Sequence, residues 1–456
     1  MENKFFEQFQ PNREKLDAVW YDKFKECGSF QAYEYLDGDK QYREAQRKDF
    51  LEGKIENPVL DYPKLNLTDL KQQEQKLRDL RREVKNNETN PTVNQLYRWK
   101  INEKIAEVEM LQATATGKIR NFKRYNEFVY GKPSPEIFFY TIQSLKSKAE
   151  KYLESNNLET QKVARELIDL LPEVEAGKQS FSLPREDSVR LAQENTFQEV
   201  GKLLNIEEAE ESYQAEEIKE VFEQALKKLK NEGWEVVIDK SSKTGISVDQ
   251  EKMQVKIPQS REVLFKKLQT LVAHEIGTHV ARRSNGERSK LMLLGLGLDR
   301  YEKGEEGLAT MREQVIEGKV KDFSGPEAHL AISLALGLDG KPRDFREVYT
   351  IMFKSFLFKN LTAGKNLEEA REKAEKDAWN RCVRTFRGTD CKTPGVCFTK
   401  DIVYREGNIG IWDVIGKNPE EMMRFNVGKY DPANPRHIWI MTQLGITEKD
   451  LEELEE

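Results

Sequence analysis

The chain has 456 residues, enough for two or three domains or for one large domain with a helical extension. Hydrophobic residues make up 38% and charged residues 34%, which excludes a disordered chain and favours a helix-rich globular protein with charged outer faces. With 74 Lys+Arg against 80 Asp+Glu the net charge is −6, so no basic excess points to nucleic acid or an anionic membrane as a partner.

Met1-Glu2-Asn3-Lys4-Phe5 opens no apolar signal core, and no stretch approaches the roughly 20 apolar residues that span a bilayer. A cytoplasmic location is therefore expected. Cys27, Cys382, Cys391 and Cys397 include no Cys-x2-Cys pair of the kind that builds a structural zinc site, and free thiols are expected.

Residues 1–54 read as an N-terminal helical segment. Phe5-Phe6, Trp20-Tyr21 and Tyr33-Glu34-Tyr35 suggest short helices that pack through aromatic side chains. Residues 55–126 read as a helical hairpin region. After Pro58 and Pro63, Thr68 can cap a helix running through Val84, with Leu70, Leu77, Leu80 and Val84 on one face. Asn86 to Pro91 makes the turn. Leu96, Trp99, Ile101, Ile105, Val108 and Leu111 then continue the helical period to about Tyr125, giving an antiparallel hairpin. Such a hairpin either buttresses the rest of the protein or recruits a protein partner.

Residues 127–456 hold the chemistry. Gly131 to Pro135 breaks the chain, helix resumes over Glu136 to Leu158, and a further helix is expected over Ile206 to Lys230. Trp234 to Asp239 and Met253 to Pro258 alternate as strands and predict a small antiparallel sheet, with the run ending at Ile257 as an edge able to hold an extended peptide. From Ser260 onward the pattern is mostly helical, with no internal repeat.

The segment from Lys266 to Arg283 carries His274, Glu275 and His279. Neutral imidazoles bind zinc, and a carboxylate beside the metal can take a proton from water and hand it to a leaving amine. Histidines five apart lie about 140° round an ideal α-helix, which would separate them. A π-bulge, turning by roughly 82° per residue, brings them back to within about 50°, and Gly277 suits that bulge. The ordinary alternative is a pair of histidines without metal. With four histidines in the chain, the chance expectation for this pattern is on the order of 0.004.

Zinc also needs a third protein ligand. Tyr301 to Ala309 supplies acids about 27 residues beyond His279, of which Glu306 is the choice, with Glu305 and Glu302 as alternatives.

His274-Glu275-Ile276-Gly277-Thr278-His279 with Arg282 and Asn285, followed by Glu305-Glu306-Gly307-Leu308-Ala309, resembles the tyrosine/phenylalanine carboxypeptidase family. That family includes the microtubule-associated tyrosine carboxypeptidases and bacterial proteins labelled by a Gln-Glu-Gly-Leu-Ala motif. Glu305 here replaces the Gln of that label. Cys382 to Gly388 and Cys397-Phe398-Thr399-Lys400-Asp401-Ile402-Val403-Tyr404 resemble the family's Arg-Gly and Phe-Ser/Thr-Lys-Asp-x2-Tyr signature.

The resemblance implies a single-zinc enzyme that removes a C-terminal aromatic residue, with His274, His279 and Glu306 on one Zn2+ and Glu275 as acid and base. The fold expected is α+β and predominantly helical: a zinc-peptidase core with a small antiparallel sheet, preceded by the N-terminal helical region. The substrate would be the C-terminus of a protein or peptide, whose terminal carboxylate suits a basic wall. Arg282, Arg384, Arg387 and Lys400 are the candidates for it, and Tyr404 is a candidate for the oxyanion or the substrate. Two alternatives stand beside this reading. One is a zinc peptidase of other specificity; the other is a non-catalytic protein that binds a partner through the hairpin. His329 and His437 lie outside the motifs and read as packing or surface histidines.

Overall fold

The computed structural model describes residues 15–173, 181–204, 212–230, 233–240, 245–318 and 320–447. Helices dominate, with two small sheets, as expected of a predominantly helical α+β chain.

Short helices form the start of the described chain: Ala18–Gly28, a 3-10 turn at Ala32–Leu36, and Lys40–Leu51. Buried Asp17 ties this region down. Its carboxylate accepts from the Tyr97 hydroxyl at 2.7 Å and from the Met292 and Leu293 N–H groups at 2.8 and 2.9 Å.

The hairpin consists of helices Leu67–Asn87 and Pro91–Ala115. Its antiparallel sense shows in the cross-helix bonds from Arg78 to Glu109, Arg81 to Asn102 and Gln112 to Glu74, at 2.6, 2.7 and 2.9 Å. Asn66, and not Thr68, is the cap. Its side chain accepts from the Thr68 N–H, so Thr68 falls inside the first turn. The second helix is buried on most sides, Lys100, Glu103, Lys104 and Glu107 included, and it shares one core with Leu291, Leu294, Phe398 and Tyr430. A further helix, Ile119–Tyr130, follows it.

The helix expected to reach Leu158 stops at Glu150, and a new one spans Leu158–Leu170. Asn157 explains the restart: its side chain accepts from the Thr160 N–H, a cap that competes with continued helix. A helix over Glu186–Leu203 follows. The helix expected from Ile206 begins at Ala215; residues 205–211 lie outside the described residues.

Just before that helix, β1 (Tyr213–Gln214) pairs antiparallel with β5 (Glu262–Val263). The main sheet has the order β2 (Glu235–Asp239), β4 (Gln254–Pro258), β3 (Ser247–Asp249). It departs from expectation in two ways. β2 and β4 run parallel, because the chain between them contributes β3, which turns back against the far side of β4. The run ending at Ile257 is therefore the central strand, with Val255 and Ile257 fully buried, and the edges are β2 and β3. Strand alternation reports which face is buried and carries no record of pairing order. β3 lies against the histidine segment.

Behind the histidines, Val272, Ile276 and Val280 pack on Phe222, Val255, Ile257 and Leu268. Burying each such side chain contributes about 1.5–3 kcal/mol, which seats the segment with its polar face outward. The helix Glu302–Glu317 crosses this segment and packs in turn on the helix Ile402–Lys417 through Leu308, Met311, Val315, Ile411 and Trp412. All four cysteines are free and buried. Among the described residues no helix is long and apolar enough to cross a membrane.

Candidate metal centre

The segment Val272–Val280 is a π-helix continuous with helices Phe265–Leu271 and Ala281–Arg288. The bulge expected from the histidine spacing is thus extended over nine residues. Side chains reinforce it. Thr278 Oγ1 donates to Ala273 O, five residues back, at 2.8 Å. Buried Arg312 donates through Nη1 to Gly277 O at 2.6 Å and to Thr278 Oγ1 at 2.9 Å, and through Nη2 to Asn426 Oδ1 at 2.9 Å.

On the polar face, one ligand atom each from His274, Glu275 and His279 lie within 4.8 Å of one another. The two imidazole centroids are 4.9 Å apart at 76°. Each ring is held from behind by an acid of the crossing helix: His274 Nδ1 lies 2.6 Å from Glu313 Oε1, and His279 Nδ1 lies 2.9 Å from Glu305 Oε1. An ionised carboxylate only accepts, so His279 Nδ1 carries the proton and its Nε2 keeps the lone pair, while His274 Nδ1 stands against Glu313 as a close ion pair. That is the orientation in which histidines bind metal, with a carboxylate supporting each ring.

The charges agree with this arrangement. Burial alone depresses the His274 imidazolium, but Glu275, Glu313 and Glu306 outweigh it and lift the group to about 9. Burial raises the Glu275 carboxyl, against the pull of the two histidines. Burial also disfavours ionised Glu305, but Arg282, Lys429 and His279 hold its carboxyl down at about 2. The pocket thus gathers negative charge around two imidazoles, a donor set suited to a divalent cation such as zinc once the cation displaces the extra proton that these acids hold on His274.

Glu306 is not one of the three tightly grouped residues, although its charge acts on His274, Glu275 and Tyr404. It sits seven residues before Glu313, about 20° away round the helix, so both share the face turned to the histidines. Among the alternatives, Glu305 is the partner of His279, and Glu302 lies 3.5 Å from the Lys400 ammonium.

The basic residues divide into two groups. Arg282 is fully buried and engaged, donating to Glu305 at 2.5 Å and to Tyr430 O at 2.7 Å. Arg384 lies 2.8 Å from Asp401, which also accepts from Arg381 at 3.0 Å. Lys400 and Arg387 are buried but held loosely, with their acids Glu302 and Asp37 at 3.5 and 3.8 Å. Among the described residues, Arg387 Nε has no hydrogen-bond partner. Tyr404 is placed between the groups: the Glu306 charge and burial raise its hydroxyl, which also bonds Arg384.

A cavity of about 1050 Å³ opens alongside, walled in part by Tyr301, Glu302, Lys303, Glu406 and Lys429. The histidines are not in its wall. It borders the centre through Glu302 and through Lys429, which lies 3.6 Å from Glu305. His329 and His437 are both fully buried; His329 lies 3.3 Å from Glu406 and His437 packs against Asp299 and Asp431.

Sequence reasoning missed Glu313, Arg312 and Lys429. Glu313 had a signal, the seven-residue spacing from Glu306; the other two had none.

A protein-family model described as microtubule-associated tyrosine carboxypeptidase matches residues 48–179, 174–322 and 365–450, which together cover well over half of the chain. Among curated proteins nothing matches.

Proposed function

The chain belongs to the microtubule-associated tyrosine carboxypeptidase family, and on that premise we propose that it removes a C-terminal aromatic residue, Tyr or Phe, from a protein or peptide by zinc-dependent hydrolysis. The observation that carries this reading is the grouping of His274, Glu275 and His279 within 4.8 Å on one face of a π-helix.

His274 and His279 would hold the ion, with Glu306 as the third ligand, and a zinc ion bound there would polarise the scissile carbonyl and make water acidic enough to attack near neutral pH. Glu275, the buried member of the cluster, accepts the proton of the attacking water and delivers it to the departing amine. The Tyr404 hydroxyl, within reach of the Glu306 charge, donates to the developing oxyanion.

The terminal carboxylate goes to Lys400 and Arg387, buried cations beside Tyr404 and Asp401 whose own acids stand at 3.5 and 3.8 Å. A carboxylate at hydrogen-bonding distance outcompetes such loose pairs. Arg282 serves instead as support for Glu305 and so for His279, and Arg384 as support for Asp401.

The test is hydrolysis of short peptides ending in Tyr or Phe, each with a free and an amidated C-terminus, by the zinc-loaded protein. Free ends are cleaved, amidated ends are not, and Glu275→Gln loses turnover at least about 100-fold while keeping its zinc. Equal cleavage of free and amidated ends would favour a peptidase of other specificity. Undiminished turnover by Glu275→Gln would remove Glu275 from the mechanism.

A further inference from the structure

Tyr33 comes from the 3-10 turn Ala32–Leu36, which precedes the region matched by the family model. The turn is firmly seated. Ala32 and Leu36 are both 1% exposed, Lys104 Nζ donates to Phe30 O at 2.9 Å, and Lys64 Nζ donates to Glu34 O at 2.9 Å. The Tyr33 ring is directed at the two loosely paired cations: Lys400 Nζ is 4.9 Å and Arg387 Cζ is 5.8 Å from its centroid.

We infer that Tyr33 is a specificity-determining residue, forming the wall against which the aromatic side chain of the substrate's terminal residue packs. The inference rests on the proposed carboxypeptidase reading and deepens it.

Geometry carries the argument. A carboxylate held by Lys400 and Arg387 lies about 3 Å from each cation, and both cations are within 6 Å of the Tyr33 centroid. The aromatic ring of the terminal residue begins three bonds beyond that carboxylate carbon, a reach that can bring it into the 4.5–7 Å range in which two aromatic rings pair. A phenyl or phenol ring gains an edge or face contact there, and an aliphatic side chain gains only ordinary apolar burial. The cations also keep the Tyr33 ring in place, since both sit over it. A removable plug is disfavoured because both ends of the turn are anchored in the core.

The experiment measures equilibrium binding to zinc-loaded Glu275→Gln protein, so that peptide is not consumed. The probes are two short peptides identical except for a terminal Tyr or a terminal Leu. Tyr33→Leu is expected to weaken the Tyr-ended peptide about tenfold and the Leu-ended one by less than about twofold. Tyr33→Phe, which keeps the ring, leaves both unchanged and controls for folding. Equal losses on both peptides would mean a merely structural role and overturn the inference. So would unchanged selectivity, or tighter binding by Tyr33→Leu, the mark of a ring that blocks the site. Binding without cleavage by the parent chain would count against the proposed function alone; binding of neither peptide by the parent would overturn both.

Discussion

Gly307 and Gly407 bring two helices together backbone to backbone. A Cβ on Gly307 would lie 2.3 Å from Gly407 O, and one on Gly407 would lie 2.0 Å from Lys303 O. This gives the Glu306-Gly307 step of the sequence a physical reason. Only an absent side chain lets the acid-bearing helix approach closely enough for the Glu306 charge to act on Tyr404.

Gly307→Ala and Gly407→Ala are expected to destabilise the fold by roughly 1–3 kcal/mol each, the range for overpacking. The sign is informative. In an exposed helix the same change would stabilise by up to about 1 kcal/mol, so a fall in denaturant midpoint can only come from the close approach.

Glu305→Gln matches the Gln of the family label and is still expected to harm this chain. A Gln can accept from His279, but Arg282 and Lys429 lose the charge that neutralises them. Removing one partner of a buried ion pair costs about 3–5 kcal/mol. Urea denaturation of the metal-free protein measures it; an unchanged midpoint would show that Lys429, which burial brings down to about 8, sheds its proton instead.

Arg312→Met removes the donors to Gly277 O and Thr278 Oγ1 while nearly preserving apolar bulk. The π-helix then loses the side chain that satisfies its carbonyl, and the His274 to His279 separation relaxes. Zinc affinity is expected to fall about 10- to 100-fold, the usual cost of losing a residue that orients metal ligands. Competition with a chelator of known affinity reads this directly, and an unchanged dissociation constant would leave Arg312 with a packing role only.

His437 makes stability depend on acid. Its Nδ1 accepts from the Asp431 N–H at 2.9 Å, so the ring is neutral with its proton on Nε2, facing Asp299 O at 3.0 Å. Burial, assisted by Arg436, depresses the folded group to about 3 from 6.5. Below pH 6.5 the unfolded chain takes up a proton that the folded chain refuses. Stability from this residue is therefore complete above 6.5 and is lost toward pH 3, by at most about 1.4 kcal/mol per pH unit. Denaturation of the parent and of His437→Gln across this range checks it; the variant should show the shallower slope.

Much of the centre was legible in the chain because its signals are local. A five-residue histidine spacing demands a π-turn wherever both rings must converge, and the π-helix Val272–Val280 is there. The hairpin was readable from its 3.6-residue period, although the cap moved from Thr68 to Asn66, one of several polar residues able to serve. The sheet was half readable. Val255 and Ile257 announced a buried face, but nothing in the two strands told that β3 would intervene and leave β2 and β4 parallel.

What the sequence determined by itself was the identity of the chemical groups: two imidazoles, an adjacent carboxylate and an acid-bearing helix some way downstream. Tertiary structure alone decided their assignments. It set Glu313 behind His274 and Glu305 behind His279, committed Arg282 and Arg384 to buried partners, and left Lys400 and Arg387 facing Tyr33. The reason is distance along the chain. Tyr33 and Lys400 are separated by most of its length, and a local pattern records only what neighbours on one helix or strand can do.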